Sequence, residues 1–309
     1  MIYSVVDMGT NTFQLLVAQK NEEKFEIKEN IQTPVQLGLG AMKDYILQDE
    51  ALKRAKVALK EYEQIIQSYG INVQPVALGT SILRNAKNKD EFFAWIRSNT
   101  IIQPKLISGD QEAQYIFQGI LQSLPPNFEK TGLVIDIGGG STEFILFKRN
   151  EIIFRHSFEI GGLKLLSLFE KEGDFDKSRF PELKKYIEKT LQPLFEIAKD
   201  QKSISLIGSA GAFETFYELE CGNKGVEKNH AFSNILNQTI YDEHARFIKS
   251  SSLNERENMK GMKKFRSRII PYSVGIVEVV RENLTIQEII VSNFSMKEGY
   301  FFSGEFQKL

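Results

Sequence analysis

Apolar residues along the chain change period in the same order twice. Short runs that alternate or are continuously apolar predict strands at 2–8, 12–20 and 23–32. A 3.6-residue period then predicts a helix at 49–70 closed by Gly70, a strand at 73–79 and a helix opening at Asn88, with Glu91 completing a capping box. A short strand at 104–108 leads to a second box, Ser108 with Gln111, at the head of a helix over 110–121. The second half begins again with strands at 131–137, 141–148 and 151–159. Helices at 161–170 and 179–199 follow, then a strand at 203–208 that runs into "SAGAFETFYELE".

The repetition extends to residues. "VVDMGTNTFQLLV" (5–17) aligns without gaps on "VIDIGGGSTEFIL" (134–146), placing Asp7 on Asp136, Gly9 on Gly138, Asn11 on Gly140, Thr12 on Ser141 and Gln14 on Glu143. An offset of 129 positions is too long for a solenoid and suits two similar domains. The chain's 309 residues agree, since one core usually serves about 150. The paired prolines in "SLPPNFEKTG" (123–132) mark the expected boundary, giving domains 1–124 and 125–295. The absence of a low-complexity linker favours a hinged cleft over independent beads.

Composition narrows the function classes. Hydrophobic content of 42%, charged content of 26% and a net charge of -1 are those of a soluble globular protein, and argue against a general nucleic-acid binder. The basic stretch "KGMKKFRSR" (260–268) could meet a polyanion, but a solvated helix face is the favoured reading. Cys221 is the sole cysteine, so internal disulfides and cysteine metal sites are ruled out. His156, His230 and His244 have no metal-ligand spacing, and Trp95 fits an element interior better than a base-stacking platform. The opening residues read as a buried strand and not as a leader, no apolar run is long enough to span a membrane, and a cytoplasmic protein is expected.

The glycine loop "DIGGGSTEF" carries the chemistry. Neither a Walker lysine nor a third dinucleotide-fingerprint glycine is present, and β-suited residues follow instead of a helix. A strand-to-strand hairpin is predicted, its glycines at positive φ and its backbone N–H groups turned to an anion. An acid beside phosphate requires a hard cation between them, so Asp136 and Glu143 read as Mg2+ ligands or water-holders. A tight hairpin with Asp136 as turn former is the alternative for one copy, and the presence of two copies favours phosphate.

Taken together, "VVDMGTNTFQLLV", "ALGTSILRNAKN", "LISGDQEAQYIFQGI", "VIDIGGGSTEFIL" and "LIGSAGAF" resemble, in family order, the exopolyphosphatase / guanosine pentaphosphate phosphatase (Ppx/GppA) family of the actin-like ATPase superfamily. The resemblance implies an α/β fold of two ribonuclease-H-like domains around a hinged interdomain cleft, and Mg2+-assisted release of terminal phosphate from inorganic polyphosphate or pppGpp. It implies Glu112 as catalytic base and Arg84 as a phosphate-contacting arginine. Asp136, Glu143 and, by the repeat, Asp7 are the metal-associated acids. Phosphate-binding positions fall on Thr10, Asn11 and Thr12, on Gly138, Gly139, Gly140 and Ser141, on Lys164, and on Gly208, Ser209 and Gly211. From residue type alone Glu112 would be a surface acid, and Arg84 equally a solvated or carboxylate-paired arginine. In the first turn of its helix Glu112 would feel the N-terminal dipole, which lowers a carboxylate pKa and suits a base. The C-terminal segment, 296–309, is expected to return as a helix to the first domain, although its amphipathic face could equally support a homodimer.

Three positions depart from the family pattern: Gln111 for a glutamate, Lys164 for an arginine and Ala212 for a threonine. Lys164 keeps the charge but loses bidentate recognition. The readings carried forward are an exopolyphosphatase with inorganic polyphosphate as partner, a pppGpp 5′-phosphatase, and a polyphosphate or nucleotide sensor with weak turnover. A sugar or acetate kinase is weaker, because no acceptor-binding insertion is identifiable.

Overall fold

The computed structural model describes residues 2–20, 25–70, 73–125, 128–171, 173–222 and 232–305. His230, residues 23–24 of the expected third strand, 126–127 of the expected boundary and 306–309 of the C-terminal segment lie outside the described residues. The chain divides into two compact units, Met1–Gly119 with Met296–Leu309, and Ile120–Ser295.

The first unit starts with a meander, β1 (Ile2–Met8), β2 (Phe13–Lys20) and β3 (Phe25–Thr33). There follow α1 (Asp49–Ser68), β4 (Val76–Gly79), α2 (Ser81–Asn85), α3 (Lys89–Asn99), β5 (Gln103–Leu106) and α4 (Gly109–Ser123), whose last turn passes into the second unit. The sheet order is β3-β2-β1-β4-β5, antiparallel within the meander and parallel from β1 through β4 to β5. Strand β1 is central and reads as a nearly continuous apolar run, as parallel pairing buried on both faces demands. Helix α1 buries Ala51, Ala55, Leu59, Tyr62 and Ile66 at helical spacing. Its Tyr62 hydroxyl donates to the Phe13 carbonyl at 3.0 Å, pinning the helix to the meander.

In the second unit come β6 (Thr131–Ile137), β7 (Thr142–Lys148), β8 (Glu151–Phe158), α5 (Gly162–Phe169), α6 (Phe180–Ala198), β9 (Ile204–Ser209), α7 (Ala210–Cys221) and β10 (Ser233–Leu236). Then follow α8 (Gln238–Ser250), α9 (Leu253–Glu257), α10 (Lys264–Ser267), α11 (Ile270–Asn283) and β11 (Ile286–Ser292), before α12 (Met296–Phe302) re-enters the first unit. The order β10-β11-β9-β6-β7-β8 repeats that of the first sheet with β10 added at an edge. The repeat seen in sequence is therefore a repeat of topology. The fold is the α/β actin-like ATPase architecture.

Two local expectations differ from what is observed. Asn88 does not cap α3. Its side-chain oxygen instead accepts from Leu47 N–H at 2.9 Å and its amide donates to the Leu47 carbonyl at 3.0 Å, so tertiary bonding displaces the local cap. The Ser108–Gln111 box does form, with bonds of 2.9 and 3.1 Å. The basic stretch is a solvated face only in part: Lys260 and Lys264 are exposed, but its arginines turn inward. Arg266 is only 3% exposed, bonding to Glu214 and Thr215, and Arg268 grips Glu170 with two bonds of 2.5 and 2.6 Å. Acids distant in sequence pair with Lys263, Arg266 and Arg268. Helix α11 gives no helical signal in the sequence because it is buried almost all round, which erases its amphipathic period.

Candidate active site

Each unit places a glycine turn between its first two strands. In the first, Gly9 N–H donates to the Thr12 carbonyl at 3.1 Å; in the second, Gly138 N–H donates to the Ser141 carbonyl at 3.0 Å. The cross-strand partners correspond too, Asp7 opposite Gln14 and Asp136 opposite Glu143. None of Gly9, Gly138, Gly139 and Gly140 has positive φ, contrary to expectation. Glycine is required for clearance instead: a Cβ on Gly9 would lie 2.8 Å from the Thr12 oxygen, and one on Gly138 3.0 Å from the Ser141 oxygen. Among the described residues the N–H groups of Gly139 and Gly140 donate to no backbone carbonyl, so the anion-binding reading keeps its donors.

The supports of the two turns differ. Thr10 and Asn11, both buried, hold the 36–38 segment through bonds from Gly38 N–H (2.8 Å) and Gln36 N–H (2.7 Å) to their carbonyls; Thr12 is half-buried. The second turn is seated on the first turn of α5. Leu163 and Lys164 N–H groups donate to the Gly139 carbonyl at 2.8 and 3.0 Å, and Gly162 N–H to the Gly138 carbonyl at 2.9 Å. A Cβ on Gly161 would come within 2.5 Å of the Gly139 carbonyl carbon. Lys164 is thereby fixed beside the glycine turn.

Strand register builds a polar row across the second sheet. Ser209 on β9 faces Asp136 on β6, which faces Glu143 on β7, which faces Ser157 on β8. Directly opposed residues share a face of the sheet. Ser209 donates to Asp136 at 3.0 Å, while Ser141 and Ser157 each donate to Glu143 Oε1 at 2.7 Å. Glu143 is 1% exposed and Asp136 7%. Ser157 was missed in the sequence; only its strand register signals it.

Among the described residues no cluster of three or more His, Cys, Asp or Glu could hold a metal unaided. Two carboxylates oriented by serine hydroxyls fit Mg2+ nevertheless, because this ion is usually held by one or two carboxylates and completes its shell with water and substrate phosphate. The donor chemistry of Asp136 and Glu143 matches that requirement.

Glu112 and Arg84 meet within the first unit. Arg84 lies at the end of α2, and Glu112 in the first turn of α4, where its N–H donates to the Ser108 carbonyl at 2.9 Å. The Arg84 guanidinium donates to Glu112 Oε2 at 2.5 Å and reaches the Ile107 carbonyl at 3.5 Å. Both are largely buried, with side chains 19% and 11% exposed. The expectation of a lowered pKa is reversed: burial pushes the Glu112 carboxyl above the usual carboxylate range, with the Arg84 charge and hydrogen bond pulling against it. Desolvation outweighs the dipole because the group is buried. Gln111 is exposed, and its side chain is occupied as the cap of α4.

The "LIGSAGAF" glycines have packing roles. A Cβ on Gly208 would overlap the Phe213 ring, and one on Gly211 would lie 2.9 Å from an Arg266 nitrogen. Ser209 is fully buried, its one hydroxyl proton shared between Asp136 at 3.0 Å and the Phe294 carbonyl at 3.2 Å.

The sequence pattern of the Ppx/GppA phosphatase family matches residues 16–307. The chain belongs to that family. As a Ppx/GppA protein it is 31% identical over 310 residues to a bifunctional 3-dehydroquinate synthase/phosphatase of Fusobacterium nucleatum subsp. nucleatum, covering 97% of this chain but 46% of that protein. The chain thus spans about half the length of this relative. It is 25% identical to a putative exopolyphosphatase of Haemophilus influenzae (98% and 91% covered) and 24% to a guanosine-5'-triphosphate,3'-diphosphate pyrophosphatase of Aeromonas hydrophila (97% and 59%). The crystal structure of an exopolyphosphatase from Cytophaga hutchinsonii matches with a TM-score of 0.92 at 29% identity, over 100% of this chain and 99% of that one. A Ppx/GppA family member from Aquifex aeolicus shares the fold, with a TM-score of 0.80 at 24% identity over 100% and 98%. Among the described residues no helix is long and apolar enough to cross a membrane.

Proposed function

We propose that this Ppx/GppA phosphatase releases terminal phosphate from inorganic polyphosphate by attack of water, with Mg2+ as cofactor, in the cytoplasm. The observation that carries the reading is the buried Arg84–Glu112 pair. A carboxyl whose pKa burial raises is a stronger proton acceptor once ionised, as a general base for water requires. The adjoining guanidinium offers donors to the oxygens of a phosphoryl group. Gly139 and Gly140 N–H groups, with Lys164 beside them, would bind phosphate oxygens of the substrate. Asp136 and Glu143 would hold Mg2+, which when bound neutralises charge developing on those oxygens.

Polyphosphate is favoured over pppGpp by similarity: the solved exopolyphosphatase is 29% identical over the whole chain, the guanosine-5'-triphosphate,3'-diphosphate pyrophosphatase 24%. Phosphate release should be measured in parallel on short-chain polyphosphate, long-chain polyphosphate and pppGpp. Faster turnover of polyphosphate supports the proposal, preferential turnover of pppGpp selects the second family activity, and binding of all three without turnover returns the protein to a sensor.

A further inference from the structure

The C-terminal helix α12 meets the helix of the proposed base with no side chain between them. A Cβ on Gly299 would lie 2.5 Å from the Tyr115 carbonyl carbon and 2.8 Å from Gly119 N, and closer still to the Tyr115 oxygen. These are backbone atoms, so no rotamer change relieves the overlap. Tyr115 follows Glu112 by one turn on α4. The next residue of α12, Tyr300, sets its ring edge-on to Tyr115 at 5.3 Å. Phe301 packs on Tyr3 of β1 at 5.5 Å, and Glu305 pairs with Lys105 at 3.0 Å. Helix α12 is therefore anchored on β1 and, through Glu305 just past its end, on β5, while its backbone bears directly on α4.

That contact has a consequence for the site. The Glu112 carboxyl meets a guanidinium presented by a different element, α2, at 2.5 Å. Displacement of α4 by even an ångström would alter that contact, because α2 has no covalent reason to follow. We infer that Gly299 is a positioning residue for the base: the bare backbone of α12 seats α4 at the depth where Glu112 engages Arg84. This rests on the proposed role of Glu112 and adds to it a dependence on a segment more than 170 positions away in sequence.

The test uses the full chain, short-chain polyphosphate with Mg2+, and three variants. Gly299→Ala forces α4 and α12 apart; Tyr300→Ala loosens the same contact without a clash and remains informative where Gly299→Ala does not fold. Each folded variant should lose about tenfold or more in kcat while KM changes little, and the acidic limb of its pH–rate profile should move to higher pH as Arg84 loses its hold on Glu112. A merely structural role would lower the folded fraction and leave the limb in place. Glu112→Gln separates the two levels. If it abolishes turnover while folded Gly299→Ala or Tyr300→Ala keeps the parent profile and kcat, the positioning role is overturned and the base survives. If Glu112→Gln retains turnover, the base itself is wrong.

Discussion

The two glycine hairpins have the same register and turn bond but different rows of side chains. Across the second sheet the row reads Ser209, Asp136, Glu143, Ser157; across the first, the corresponding positions are Leu78, Asp7, Gln14 and Gln32. One hairpin thus has two carboxylates held by hydroxyls, the other a single carboxylate among an aliphatic side chain and two amides. Backbone geometry was kept in both copies, and the acid count was not. On the proposed function the cation would belong to the second hairpin and the first would make phosphate contacts, in the same unit as Glu112 and Arg84.

The comparison breaks first at the base. Glu112→Gln should lower turnover by about 10²-fold or more with KM nearly unchanged. In the parent enzyme, burial raises the Glu112 pKa, so the ionised base is lost as pH falls through a value above the ordinary carboxylate range. The acidic limb of kcat should lie there; a limb at ordinary carboxylate pH would contradict the burial argument.

Ser157 sharpens the distinction between the rows. Removing one of the two hydroxyls on Glu143 with Ser157→Ala should raise the Mg2+ concentration for half-maximal rate by about tenfold, as loss of an orienting partner commonly does. The equivalent change at Gln32 should leave it unchanged. Lys164→Ala should raise KM for polyphosphate by about two- to fivefold and reduce its salt dependence, since one partly exposed charge contributes modestly. Gly208→Ala should lower Tm by overpacking against Phe213, at about 1–3 kcal/mol, without altering KM; a KM effect in a folded variant would return Gly208 to phosphate binding.

The strands, their glycine turns and the duplicated topology were legible because alternation, turn residues and internal similarity are local signals. So was the Ser108–Gln111 box. The rest depended on contacts between distant segments. Asn88 found a backbone partner at Leu47, Arg266 and Arg268 found Glu214 and Glu170, and the acidity of Glu112 followed burial that one turn of sequence does not show. Likewise, positive φ was assigned to the turn glycines from their residue type, whereas their actual constraint is the approach of a carbonyl oxygen three residues on. Ser157 joins the site only through the β7–β8 register.

Magnesium titration of phosphate release from short-chain polyphosphate, comparing Asp136→Asn with Asp7→Asn, tests the assignment of unequal roles to the two hairpins most directly. Asp136→Asn should raise the half-saturating Mg2+ concentration by about tenfold or more, and Asp7→Asn should shift it much less while affecting KM for polyphosphate. Equal shifts in the two folded variants, or a larger one for Asp7→Asn, would contradict the account.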